Sequence, residues 1–284
     1  MDFLEKGVIA VHYEDEGWDG KYVSKRAKSV VERFRKLGEE GGWVISDYSA
    51  GSDQPDKIDT EDYILIGKVV PKSHEEIRNG CRCDRIDEHR RDTRGHFEPF
   101  HLYKTLRLDS PTRLSPDDYG ILTIPFSRSA FATADIRPES VECMYKKESL
   151  DDSVDSLGPG QLEVLCEEYL RAGVGEAEGL PRLKYLLAPI GGQLKDLDIM
   201  GKDTSGKQIF AQVCGGKDPN KDEKKLKKLS IYENRGRTLL YFRRNQPQEI
   251  DDAVTFVNVG NVYSRAKSHP SLKEMIDDFL SPSS

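Results

Sequence analysis

The sequence predicts an α+β protein in two domains, and three observations carry that prediction. The chain has 284 residues, too many for one typical domain and about right for two of ~140 residues. A polar stretch, 147–160, is short of large apolar residues and ends in Gly158-Pro159-Gly160. It reads as a linker between domains at 1–146 and 161–284. Both flanks mix runs of helical period with short β-rich runs, and the second does so in an order that suits one mixed sheet flanked by helices.

In the first domain, Gly7 to Tyr13 is a strand. Val23 to Leu37 carries apolar residues at 23, 27, 30, 31, 34 and 37, a helical period. Gly41-Gly42 stops that helix, and Trp43 to Ser46 resumes as a strand. Tyr63 to Val70 is a buried strand ended by Pro71, and Tyr119 to Pro125 is another. The charged stretch 72–113 shows no clear period.

In the second domain, apolar residues at 162, 165, 166, 169 and 170 give Gln161 to Ala172 one helical face. Leu197 to Gly201 and Gln208 to Cys214 flank the turn residues Asp203-Thr204-Ser205-Gly206, so 197–214 reads as a hairpin. A Lys-rich helix over 221–230 follows, then strands at 237–243 and 253–259 and a closing helix after Pro270.

Composition narrows the classes. No run approaches the ~20 apolar residues of a membrane span. Met1 to Lys6 lacks the basic and apolar regions of a signal peptide. Five cysteines (81, 83, 143, 166, 214) are too few and scattered for a disulfide scaffold, so a reduced cytoplasm is the expected location. The net charge of −7 speaks against a basic DNA-coating protein, but the charge is uneven. Residues 217–244 hold ten Lys or Arg against four Asp or Glu, a local +6. Lys221, Lys224, Lys225, Lys228, Arg235, Arg237, Arg243 and Arg244 are the candidate DNA contacts there, and their affinity is expected to fall with salt.

The hairpin carries the candidate chemistry. Strand alternation puts Asp196, Asp198 and Met200 on one face, and Gln208, Phe210, Gln212 and Cys214 on one face of the returning strand. Pairing brings Asp198 beside Gln212, and Glu163 of the preceding helix completes the cluster. Two carboxylates and an amide oxygen make a hard-oxygen site suited to Mg²⁺, which can stabilise charge on a phosphate. No phosphate-cradling Gly-rich loop and no Gly-x-Ser-x-Gly is present.

Gly191 to Ile199 followed by Gly206 to Cys214 resembles the core hairpin of the PD-(D/E)XK nuclease superfamily, in its Mrr-like restriction endonuclease branch. The resemblance covers about 158–265. It implies that Asp198 is the central metal ligand, that Gln212 holds the (D/E/Q) position and that Glu163 is the helix carboxylate. The family's lysine falls on Cys214, which supplies no cation, so Lys195 or Lys217 is the expected substitute. The alternative is an inactive nuclease fold that binds nucleic acid as a sensor.

Phe3 to Tyr13 resembles the first strand of EVE-like and YTH-like domains of the PUA superfamily, with the Gly-Trp phrase displaced to Gly17-Trp18. Ile64 to Val69 resembles their second barrel strand. This implies a β-barrel reader that flips a base into an aromatic pocket, with Trp18, Trp43 and Tyr48 as pocket aromatics and Ser46 and Asp47 as edge contacts. Together the two resemblances imply modification-dependent restriction of phage DNA. Double-strand cutting wants two active sites, which admits a homodimer. Cys81-Arg82-Cys83 with His89, His96 and His101 offers zinc-type ligands, but the spacing is tighter than usual zinc patterns, which favours a charged loop.

Overall fold

The computed structural model describes residues 7–12, 17–48, 63–79, 101–115, 117–119, 137–186, 197–215, 219–233, 237–244 and 253–282. They form a mixed α+β protein with two sheets. The described residues fall into two compact units, one ending at Ser115, the other holding 117–119 and everything from Arg137 onward.

The first unit contains β1 (Val8–His12), α1 (Lys25–Glu40), β2 (Gly42–Tyr48), β3 (Tyr63–Val69), β4 (Glu75–Asn79) and β5 (His101–Leu114). Ser24 starts α1 by accepting the Ala27 N–H. Gly41, at φ 76°, ends it and returns its N–H to Leu37. The buried face is Ala27, Val30, Val31, Phe34 and Gly38, at helical spacing. Phe34 packs there with Ile9, Val11, Val44, Leu65, Leu106 and Leu108.

The charged stretch 72–113 holds the longest strand of this unit. The first half of β5 pairs with β1 on one side and β4 on the other; its second half pairs with β3. Ser110, at φ 41°, lies in the second half. The sheet path is β1-β5-β3-β2 with β4 on β5, an open path, so among the described residues no barrel closes.

The second unit contains α2 (Pro138–Lys146), α3 (Pro159–Ala172), β6 (Leu183–Leu186), β7 (Ile199–Asp203), β8 (Gln208–Cys214), α4 (Pro219–Ser230), β9 (Arg237–Arg243), β10 (Val254–Asn258), α5 (Val259–Ala266) and α6 (Pro270–Leu280). Its sheet runs β10-β9-β8-β7-β6. β6, β7 and β8 are antiparallel neighbours; β8, β9 and β10 are parallel. The parallel step from β8 to β9 needs a crossover, and the Lys-rich α4 provides it. The β7–β8 turn is closed by Asp203, whose Oδ1 accepts from the Lys207 N–H and the Ser205 hydroxyl, with Gly206 at φ 87°.

Two expectations change here. The stretch 147–160 is built into the second unit. Leu150 and Leu157 are buried, and Leu150 N–H donates to the Leu280 carbonyl. The acids that made the stretch look solvated have partners: Asp152 accepts from the Tyr263 hydroxyl, and Asp155 pairs with Arg137 and Arg244. Tyr119 is not in a strand. It is fully buried at φ 56°, its N–H bound to Ser281 and its hydroxyl to the Glu148 carbonyl, while 120–125 lie outside the described residues. Among the described residues no helix is long and apolar enough to cross a membrane.

Candidate functional site

The site in the second unit is assembled by the β7–β8 ladder. Ile199 pairs with Ala211, and Asp198, just before β7, also donates its N–H to the Ala211 carbonyl at 3.0 Å. Asp198 and Ile199 thus both meet Ala211, a bulge-like irregularity, and the expected pairing of Asp198 with Gln212 is not part of the β7–β8 register. The Asp198 carboxylate is then fixed by its own neighbour strand: Oδ2 accepts the Val213 N–H at 2.7 Å. A carboxylate held by a backbone N–H points one way and stays there.

Glu163 comes from α3. The buried face of that helix is Leu162, Leu165, Cys166, Tyr169 and Leu170, and Glu163 sits at its edge, half-buried. Burial, then the neighbouring charge of Asp198, push its carboxyl up to about 7, while Lys225 pulls it down. The Cys166 thiol, wholly buried, is held well above its usual range by burial first, then by Glu163 and Asp198.

The cation comes from α4. Leu229 is fully buried and packs with Phe210, Cys214, Leu239 and Tyr241. Lys225 lies one turn earlier on the same helical side, so anchoring Leu229 aims Lys225 inward. Its Nζ lies 3.1 Å from Asp198 Oδ2 and donates to the Val213 carbonyl at 2.9 Å. Burial works against its charge, but Asp198, Cys214 and Glu163 outweigh burial and raise its pKa.

Cys214, where the resemblance puts a lysine, is buried in the apolar cluster beside α4. The expected substitutes Lys195 and Lys217 lie outside the described residues. Lys225, counted from sequence only among the DNA contacts, is the lysine at the carboxylate. The legible signal was helical spacing to Leu229.

The oxygens gathered around Asp198 are hard: its own carboxylate, the Val213 carbonyl that shares the Lys225 ammonium with it, and the Glu163 carboxylate on which its charge acts; Gln212 is buried on β8. Among the described residues no group of three or more His, Cys, Asp or Glu converges. Two carboxylates completed by neutral oxygens and solvent are the chemistry that Mg²⁺ accepts and zinc does not favour.

The basic segment divides. Lys224 and Lys228 are exposed on α4. Arg237 is turned inward: it donates to Gln208 Oε1 and the Tyr232 carbonyl, and its guanidinium lies 4.9 Å from the Phe210 ring centroid. Arg244 pairs with Asp155 and donates to the Val154 carbonyl. Arg243 is half-buried, in register with Cys214. The side chain of Lys221, and all of Arg235, lie outside the described residues.

In the first unit Trp18 is half-buried rather than exposed. Its ring stacks on Phe34 at 5.7 Å, meets His74 edge-on at 4.8 Å, and donates its N–H to the Glu75 carbonyl. Trp43 alternates with Val44, which faces the Phe34 cluster, so Trp43 takes the other face of β2, with the Lys68 ammonium 5.9 Å from its ring centroid. The two tryptophans therefore do not share a pocket. Ser46 is on β2, and the side chains of Asp47 and Tyr48 lie outside the described residues, as do Cys81, Cys83, His89, His96 and the His101 side chain. A cavity of about 430 Å³ borders Trp18, Tyr22, Lys28 and Arg35. Beside Tyr22 sits Lys104, fully buried on β5, its ammonium 5.2 Å from the Tyr22 ring centroid. Sequence reasoning missed Lys104.

The chain matches no protein-family model, no curated protein and no solved structure.

Proposed function

We propose that the second unit is a Mg²⁺-dependent endonuclease domain of the PD-(D/E)XK type acting on DNA. The observation that supports it best is the meeting of Asp198 and Lys225 at the β7–β8 ladder. A carboxylate fixed by a strand N–H, a second carboxylate on the preceding helix and a half-buried ammonium are the groups that phosphodiester hydrolysis needs. Asp198, Glu163 and Gln212 hold the metal. A divalent ion bound there supplies positive charge at the scissile phosphate and favours a hydroxide-like nucleophile. Lys225 offsets negative charge as it develops on the phosphate. Without a metal, burial and the Asp198 charge push the Glu163 carboxyl up to about 7, so binding of a divalent ion there would release its proton. The exposed Lys224 and Lys228 extend positive charge along α4 for a phosphate backbone.

For the first unit we propose a nucleic-acid reader of the PUA-like type, directed at modified bases. The support is the cavity beside Trp18, whose volume is in the range of small-ligand clefts and whose rim mixes Lys21 and Lys28 with Glu32 and the Arg35–Asp19 ion pair. The whole chain then acts in modification-dependent restriction. The test is incubation of the purified full chain with modified and unmodified phage DNA, with and without Mg²⁺. Mg²⁺-dependent nicking is expected, with loss in Asp198→Ala at unchanged circular dichroism. Binding without nicking would identify an inactive nuclease fold that serves as a sensor. Unchanged cleavage by a folded Asp198→Ala protein would remove the assignment.

A further inference from the structure

We infer that Lys225 guards the oxygen site of the second unit: its ammonium is the resident cation when no metal is bound, and it yields that place when a divalent ion enters. This rests on the nuclease reading above and adds to it a gate. The key is which oxygens Lys225 holds. One is the Asp198 carboxylate oxygen Oδ2 at 3.1 Å, the other the Val213 backbone carbonyl at 2.9 Å. Carboxylate and backbone carbonyl are both oxygen types that hard divalent cations take as ligands. Oδ2 also accepts the Val213 N–H at 2.7 Å, so little of its acceptor capacity is left. A second cation that claims this oxygen must take it from the ammonium.

The surroundings let the side chain yield without unfolding the site. The helix is held by Leu229, fully buried four residues on, so the move is a rotation of the four-carbon lysine stem and not of α4. Lys225 is half-buried, with part of its side chain open to solvent. Once displaced, the ammonium needs another anion. A nucleic-acid phosphate at the same site supplies one, so phosphate and Mg²⁺ each favour binding of the other through Lys225. The gate thus keeps the acidic site neutralised until both substrate and metal are present.

The test uses the full chain without nucleic acid, at one fixed pH. Mg²⁺ is titrated calorimetrically into the wild type, Lys225→Met and Asp198→Asn. Lys225→Met is expected to bind Mg²⁺ about tenfold tighter, since no charged hydrogen bond has to be broken; Asp198→Asn is expected to lose the binding. Removing a positive charge also relieves plain repulsion, so a second measurement is made on the wild type. Acetylation of Lys225 by an N-hydroxysuccinimide ester, read by mass spectrometry, is expected to rise several-fold on saturation with Mg²⁺, with Lys224 and Lys228 as internal references. Asp198-dependent Mg²⁺ binding that leaves Lys225 acetylation unchanged, or is no tighter in Lys225→Met, overturns the gate and leaves the nuclease reading standing. Absence of Asp198-dependent Mg²⁺ binding in both wild type and Lys225→Met overturns the metal site itself, and the gate with it.

Discussion

Replacing Glu163 by Gln tests the electrostatics of the site through stability alone, with no activity assay. The Glu163 carboxyl is pushed from 4.5 up to about 7, by burial first and then by the Asp198 charge. Its folded pKa lies above its unfolded one. Between about pH 4.5 and 7 the folded state therefore binds more protons, and stability falls as pH rises through that window. Below it the neutral acid is accommodated at no electrostatic cost; above it the fold carries a half-buried charge. The interval is worth about 3 kcal/mol at 1.36 kcal/mol per pH unit, and solvent access to a half-buried group trims this to about 2 kcal/mol. Glu163→Gln is neutral at every pH. It is expected to match the wild type at pH 4.5 and to exceed it by about 2 kcal/mol at pH 8, a Tm difference of roughly 4–8 °C for a domain this size. The assay is thermal and urea unfolding from pH 4.5 to 8 with a chelator present. Titrating groups remote from Glu163 cancel in the difference between the two proteins. Parallel stability curves, with a constant gap across the window, would refute a raised Glu163 and with it the burial and carboxylate proximity that raise it.

Two further outcomes follow from the packing and the charge. Trp18→Ala is expected to destabilise the first unit by about 3 kcal/mol, because the ring stacks on Phe34 and packs on the core, whereas Trp43→Ala on the outer face costs less than half of that; urea unfolding separates them, and modified-DNA binding lost in Trp43→Ala at unchanged stability would show that the β2 outer face reads the base. DNA affinity is expected to fall as salt rises, with a shallower slope in Lys224→Ala/Lys228→Ala; an unchanged slope in the double variant would take α4 out of the DNA contact.

Period and order made the second unit largely legible. The hairpin, the strand at 237–243 and the Lys-rich helix all stand where spacing put them, because their inward positions carry ordinary apolar residues. β5 was hidden for the opposite reason. Its inward positions are Leu102, Lys104, Leu106 and Leu108, and a wholly buried lysine breaks the alternation that a reader scores. The stretch 147–160 misled likewise: its acids look solvated until Tyr263, Arg137 and Arg244 arrive from residues far along the chain. Such partners leave no local signal. Of the site, strand order put Asp198 at the head of the β7–β8 hairpin, but its backbone meets Ala211, and alternation alone did not show that irregularity. Lys225 was visible only as one of several lysines, since its role depends on where Leu229 pins the helix.

On the nuclease reading proposed above, the cation at Asp198 comes from α4 and not from β8, since such chemistry fixes a charge in space and not a position in sequence. At Cys214 the side chain points into a cluster of Leu229, Leu239 and Tyr241. A lysine there would have to thread its stem past these residues to keep its ammonium in water. From α4 the ammonium approaches the same carboxylate from the solvent side, with a stem that stays half-exposed. β8 buries a small apolar thiol at 214, which packs against Leu229 of α4. That contact is what aims Lys225. The thiol at 214 and the placement of 225 thus belong to one packing arrangement, in which the better α4 is seated on the sheet, the more firmly the ammonium is held at Asp198.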